Sequence, residues 1–157
     1  MPPLRLPKTA FYLTALFAFL GFADSAYLTV DHYFAVPLPC TLTDGCDTVL
    51  LSQYSMIGPV PLAALGVAYY LLALFLAVYI YTSENPTLRP ARAIWLLSGT
   101  GVLASAYFVY LQVSVLQALC IYCLGSALTS VLLFASSSLL LRQMSRQAQT
   151  KTPVIDF

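Results

Sequence analysis

Two pairs of cysteines carry the chemistry that this sequence offers: Cys40 with Cys46, and Cys120 with Cys123. In Cys120-Ile121-Tyr122-Cys123 the spacing sets both thiols on one helical face, close enough to bridge. At a helix start the N-terminal dipole and free N–H groups favour thiolate, the form that attacks disulfides. The first pair is separated by Thr41-Leu42-Thr43-Asp44-Gly45, a stretch flexible enough to open and close a disulfide. One mobile pair and one anchored pair is the arrangement a thiol–disulfide relay requires. The same residues have plainer readings. The loop pair would serve as a static staple, the Cys-x-x-Cys pair as buried thiols, or all four as a cysteine-ligated zinc or copper site in a metal-binding membrane protein. The relay needs no metal.

Thiols act only where something positions them, and composition says what that is. Hydrophobic residues make up 60% of the 157 positions and charged residues 8%, against roughly 25% charged in soluble domains. With 7 Lys+Arg and 6 Asp+Glu the net charge is +1, so no basic surface for nucleic acid exists. An integral membrane protein remains. A spanning helix needs roughly 20 mostly apolar residues, and the qualifying stretches are about 9–30, 61–81, 93–115 and 119–141. They predict an all-α membrane protein, a four-transmembrane-helix bundle over residues 9–141 with a short cytoplasmic tail, 142–157.

Cations set the orientation. Arg5 and Lys8 precede the first span, Arg89 and Arg92 separate the second and third, and Arg142, Arg146 and Lys151 follow the fourth. All fall on one side. The expectation is a multi-pass protein of the cell's inner (plasma) membrane, with both termini cytoplasmic. Every cysteine then lies on the extracytoplasmic side, where disulfides persist. A cleaved signal peptide over the first span is the rival reading; it would leave three spans and make the cation pattern an accident.

Between the first two spans, Cys46-Asp47-Thr48-Val49-Leu50-Leu51-Ser52 reads as a lid half-helix capped by Thr43 or Asp44. Gly58-Pro59-Val60-Pro61 then turns into the second span, with Pro61 suited to the first helical turn. Gly99, Gly101, Ala104, Ser105 and Ala106 read as helix-packing positions, and Ser136-Ser137-Ser138 as a run that bonds back to its own helix.

A relay needs an electron sink. The chain has no Gly-x-Gly-x-x-Gly after a strand and no Cys-x-x-Cys-His, and His32 alone makes no bis-histidine haem site. A quinone arriving through the lipid, ubiquinone or menaquinone, is the economical acceptor. Candidate walls of its pocket are Tyr107 and Tyr110 of the third span, Tyr122 between the paired cysteines, and Tyr27 of the first, with interfacial packing as their plainer role. Asp24, the one charged residue inside a span, sits roughly 9 Å below the outer end of its helix. It is a candidate for proton delivery to the quinone. His32 reads as a solvated interface residue.

In this order the residues resemble the vitamin K epoxide reductase family, in particular its bacterial members. The match runs through Cys40 and Cys46, then Asp47, Val49 and Ser52 in CDTVLLSQYS, then GPVPLAALG before the second span, and CIYC at the head of the fourth. It covers about residues 9 to 141. The resemblance implies a four-helix bundle around a quinone, with a half-helix lid. It implies that Cys120 and Cys123 are the active-site pair with Cys123 nearest the quinone ring, and that Cys40 and Cys46 are the shuttle pair. Ser52 would be the loop hydroxyl that helps position quinone or sulfur. The implied bacterial role is oxidation of a thioredoxin-like protein, so that disulfides enter exported proteins.

Many bacterial members carry a thioredoxin-like domain fused after the last span. Here about sixteen residues follow Leu141, so the expectation is a stand-alone form with a separate thioredoxin-fold partner on the extracytoplasmic side. Vertebrate members use a loop Asn, and a Tyr one turn after the active-site pair, for the epoxide. Ala127 takes the latter place, the loop has no clear Asn counterpart, and a respiratory quinone is the better substrate. The other quinone-linked disulfide oxidases of bacteria carry their two pairs in the reverse order.

Overall fold

Four helices are long and apolar enough to cross a bilayer. The computed structural model of the chain describes residues 8–34, 45–83 and 87–149. Its elements in order are α1 (Lys8–Phe34), α2 (Cys46–Leu50), the hairpin strands β1 (Met56–Ile57) and β2 (Val60–Pro61), α3 (Leu62–Thr82), α4 (Leu88–Tyr110) and α5 (Ile121–Gln149). A 3₁₀ turn, Gln53–Ser55, precedes β1, and α4 passes into a π-helical turn, Leu111–Leu116. The expected all-α membrane bundle is what forms.

Helix ends depart from the apolar windows in an instructive way. α1 runs on to Phe34 and α5 to Gln149, because hydropathy marks the bilayer whereas propensity marks the helix. Arg142, Gln143, Met144 and Arg146 are good helix formers that carry α5 past its apolar stretch. α4 starts earlier than its apolar stretch, at Leu88, and accommodates Pro90 in the first turn, where no N–H partner is lost. The lid helix is shorter than expected, ending at Leu50, and Pro61 stands just before α3 as its cap. Gly58 takes a positive φ of 62° in the β1–β2 turn, the conformation a tight hairpin favours.

The spanning helices form a ring in which α1 packs on α3 and α5, and α4 on α5 and less closely on α3. Phe11 stacks on Tyr81 at 4.5 Å at one end, and Tyr27 meets Tyr122 at 5.6 Å towards the other. Neighbours are therefore antiparallel. In lipid there is little hydrophobic drive between helices, so close packing of small residues and interhelical hydrogen bonds must hold the bundle. Ala18, Ala73, Ala77 and Ala91 are fully buried and let backbones approach. Tyr70 Oη bonds Thr129 and Ser130 of α5 at 3.0 and 2.8 Å. Ser98 meets Ser137 at 2.8 Å, and Trp95 Nε1 donates to Ser138 at 3.1 Å. Ser136, Ser137 and Ser138 also donate back to carbonyls of their own helix.

Candidate redox site

The lid rests on the link that carries the Cys-x-x-Cys pair. α2 packs on the π turn, and Cys46, Val49 and Cys120 form one buried cluster flanked by Leu50, Leu116 and Tyr122. Gly45 makes this approach possible. A Cβ there would meet the Leu119 backbone N and O at 2.8 Å, closer than real side chains come. The lid carries no side-chain cap at Gly45; Cys40, and the expected caps Thr43 and Asp44, lie outside the described residues. Cys46 is disulfide-bonded, whereas Cys120 and Cys123 are free thiols.

Cys120 is not inside the helix, as its spacing predicts, but is the residue that caps it. Cys123 N–H donates to Cys120 Sγ at 3.4 Å, in the place usually taken by a Ser or Asp oxygen. The Cys123 S–H holds the Cys120 thiol below its ordinary value, to about 7, helped by the N–H groups of Cys123 and Tyr122 and opposed by burial. Such a thiol is about half thiolate in neutral solution, far more than an ordinary cysteine. The connection into Cys120 is strapped to the π turn by Gln112, which is 2% exposed. Ala118 N–H donates to the Gln112 backbone carbonyl at 3.1 Å, and Cys120 N–H donates to Gln112 Oε1 at 2.9 Å. Gln117 closes the turn at a φ of 50°, the one non-glycine residue with positive φ among those described.

Beneath the lid, between α3 and α4, lies a cavity of about 460 Å³, a size typical of small-molecule sites. Its walls are mostly apolar, with Ser52, Tyr69, Gln112 and Cys123 contributing polar groups. Tyr69 Oη is buried with no hydrogen-bond partner among the described residues, and lies against Gly101 of α4. Ser52 Oγ donates to Val49 O at 2.7 Å, which leaves its lone pairs for the cavity. An apolar slot with a few polar groups and a thiol in its wall fits a flat quinone.

The sequence candidates divide on these walls. Ser52 and Cys123 line the cavity; Tyr107, Tyr110 and Tyr122 do not. Tyr107 and Tyr110 are 56% and 59% exposed, because the register of α4 turns Ala104, Ser105 and Phe108 inward instead. Tyr27 and Tyr122 pack on each other. Asp24 is not a wall residue either. Its carboxylate lies beside Ser126 and within electrostatic reach of Cys120 and Cys123, and its Oδ2 is buried without a hydrogen-bond partner among the described residues. His32, expected in solvent, lines the cavity. Gly101, expected to close helix against helix, takes the Tyr69 ring of α3 against it, whereas Ala104 and Ser105 line the open space. Sequence reasoning missed Gln112 and Tyr69. A lone amide in an apolar span is a signal for Gln112, whereas nothing separates Tyr69 from the belt tyrosines. Among the described residues no three His, Cys, Asp or Glu side chains come together as a metal site.

The sequence model described as the Vitamin K epoxide reductase family matches residues 12–138, a stretch that takes in the lid, the cavity walls and both described thiols. Members of that family are oxidoreductases that use quinone-type substrates and typically work with a thioredoxin-like protein. A multi-pass membrane protein with a thiol pair set against an apolar cavity, the chain belongs to the vitamin K epoxide reductase family and is a thiol oxidoreductase of that type.

Proposed function

We propose that the protein is a quinone-dependent thiol oxidase that oxidises a separate thioredoxin-fold protein on the extracytoplasmic side of the inner membrane, so supporting disulfide formation in exported proteins. The observation that carries this reading is the Cys123 thiol in the wall of the cavity, beside Cys120, with the Cys46 lid packed on Cys120. A bound quinone supplies the sink for two electrons and two protons. The partner dithiol closes as a Cys40–Cys46 disulfide opens. That loop dithiol closes as a Cys120–Cys123 disulfide opens, by thiolate attack through a mixed disulfide. The Cys120/Cys123 dithiol then closes again, and its two electrons and two protons leave as quinol. The thiolate-favouring cap makes Cys120 a good leaving group when Cys40 attacks Cys46 of a Cys46–Cys120 mixed disulfide. Lys8, Arg89, Arg92, Arg142 and Arg146, at the bundle end remote from the cysteines, support the proposed sidedness.

The test is purified protein with a reduced thioredoxin-fold protein and a soluble quinone analogue, followed by quinone absorbance. One quinol should appear per partner disulfide. Cys40→Ala should abolish partner oxidation yet leave quinone reduction by a small dithiol. Partner oxidation by the Cys40→Ala protein at the wild-type rate would overturn the relay, and no quinone reduction with any thiol would overturn the oxidase reading.

A further inference from the structure

Gln112 is a buried amide with both ends of its side chain accounted for by position. Its Oε1 accepts the Cys120 N–H at 2.9 Å. That bond fixes the sense of the carboxamide, since only the oxygen can accept. The NH2 group has no acceptor among the described residues, and the side chain forms part of the cavity wall. Its backbone carbonyl holds Ala118 N–H from the same link. A π turn ending in a left-handed residue is an uncommon way to finish a helix. Here its product is a buried amide that touches both the cap of α5 and the cavity.

We propose that Gln112 is the positioning residue of the reactive pair: its Oε1 holds Cys120 as the sulfur cap of α5, while its NH2 donates to a carbonyl oxygen of the quinone in the cavity. Cavity occupancy and cap geometry are thereby coupled through one amide. The cap half stands independently of the proposed oxidase reaction, and the donor half rests on it. Without Oε1, the strap on Cys120 slackens and its sulfur leaves the Cys123 N–H that favours thiolate. The titratable groups facing Cys120 are Cys123 and Tyr122 from α5 and Asp24 from α1, while Cys46 of the lid is disulfide-bonded.

Two variants separate the halves. Gln112→Met keeps the volume and removes both acceptor and donor; Gln112→Glu keeps an oxygen for Cys120 N–H and removes the donor. Hydrogen–deuterium exchange over residues 117–123 reads the strap. The pH profile of Cys120 alkylation, by peptide mapping of the dithiol-reduced protein, reads the cap. The KM for a soluble quinone analogue reads the donor. Gln112→Met should lose protection at 118–120, raise the alkylation midpoint by about one pH unit and raise KM about tenfold. Gln112→Glu should keep the protection and still raise KM about tenfold. A folded Gln112→Met with wild-type exchange and alkylation overturns the positioning role. If Gln112→Met does not fold, loss of protection in Gln112→Glu overturns it instead, and a wild-type KM in Gln112→Glu overturns the donor role. Failure of the wild-type protein to reduce quinone would strike the oxidase reading and the donor half, and leave the exchange and alkylation results to judge the cap.

Discussion

The same four helices are packed solid towards their arginine end and stand apart towards their cysteine end. In the solid half, Ala73, Ala77 and Ala91 interleave with Ile80, Ile94, Leu133 and Leu140, all fully buried. In the open half, Gly66, Gly101, Ala104 and Ser105 face a cavity of about 460 Å³ roofed by the lid. Both halves use small residues at helix interfaces. What differs is how far the facing side chains fill the gap: in the solid half they close it, and in the open half Tyr69 reaches Gly101 while space remains beside Ala104 and Ser105. A small-residue stripe is thus ambiguous between glue and void until its facing helix is known.

The sharpest break of this comparison is chemical. Cys123→Ala removes a small, half-buried thiol from the cavity wall and should cut quinone reduction to background with either a protein or a small-dithiol donor, as following quinone absorbance will check. Thermal unfolding in detergent should be nearly unchanged, because little packing is lost. A smaller and two-sided effect comes from the same enlargement made in each half. Ala127→Phe, on the cavity wall, should raise the KM for a quinone analogue about tenfold with little change in stability. Ala77→Phe, in the solid half, should destabilise by about 1–3 kcal/mol through overpacking and leave KM alone. Equal losses of stability for both would show that the two halves are packed alike.

The smallest effect concerns the thiol that caps α5. With Cys120 held to about 7, its alkylation rate should rise with pH to half-maximum near that value and level off within about two units above it. An ordinary thiol would still be climbing there. The sign follows from thiolate being the reactive form, scarce below the midpoint and saturated above it. A midpoint of 8.5 or higher, roughly that of a free cysteine, would mean that the cap is not maintained in solution.

Spans, the lid and the nearness of Cys120 to Cys123 were legible in the sequence because each rests on a local property. Apolar length dictates a helix in lipid, where every backbone group must be satisfied internally. Two cysteines three apart must lie within reach of each other on a helix. Ser52 was legible for a different reason, its place in an ordered family pattern. The cavity wall was not legible, as α4 shows. Tyr107 and Tyr110 are the conspicuous polar aromatics of that helix, yet its rotation turns them outward. Tyr69 is one of 11 tyrosines, and only the tertiary structure sets it against Gly101 and in the cavity wall.

By itself, then, the sequence determined that this protein lies in a membrane as four helices and carries its thiols at one end, since hydropathy and spacing act along the chain. Tertiary structure decided which groups meet. Gly45 lets the lid touch the link before Cys120, Gln112 ties that link down, and the loose α3–α4 contact leaves the space that Cys123 faces. The physical reason is that helix rotation and the approach of facing helices are set by side chains far apart in sequence. A change of one residue in register exchanges a lipid-facing side chain for a cavity wall.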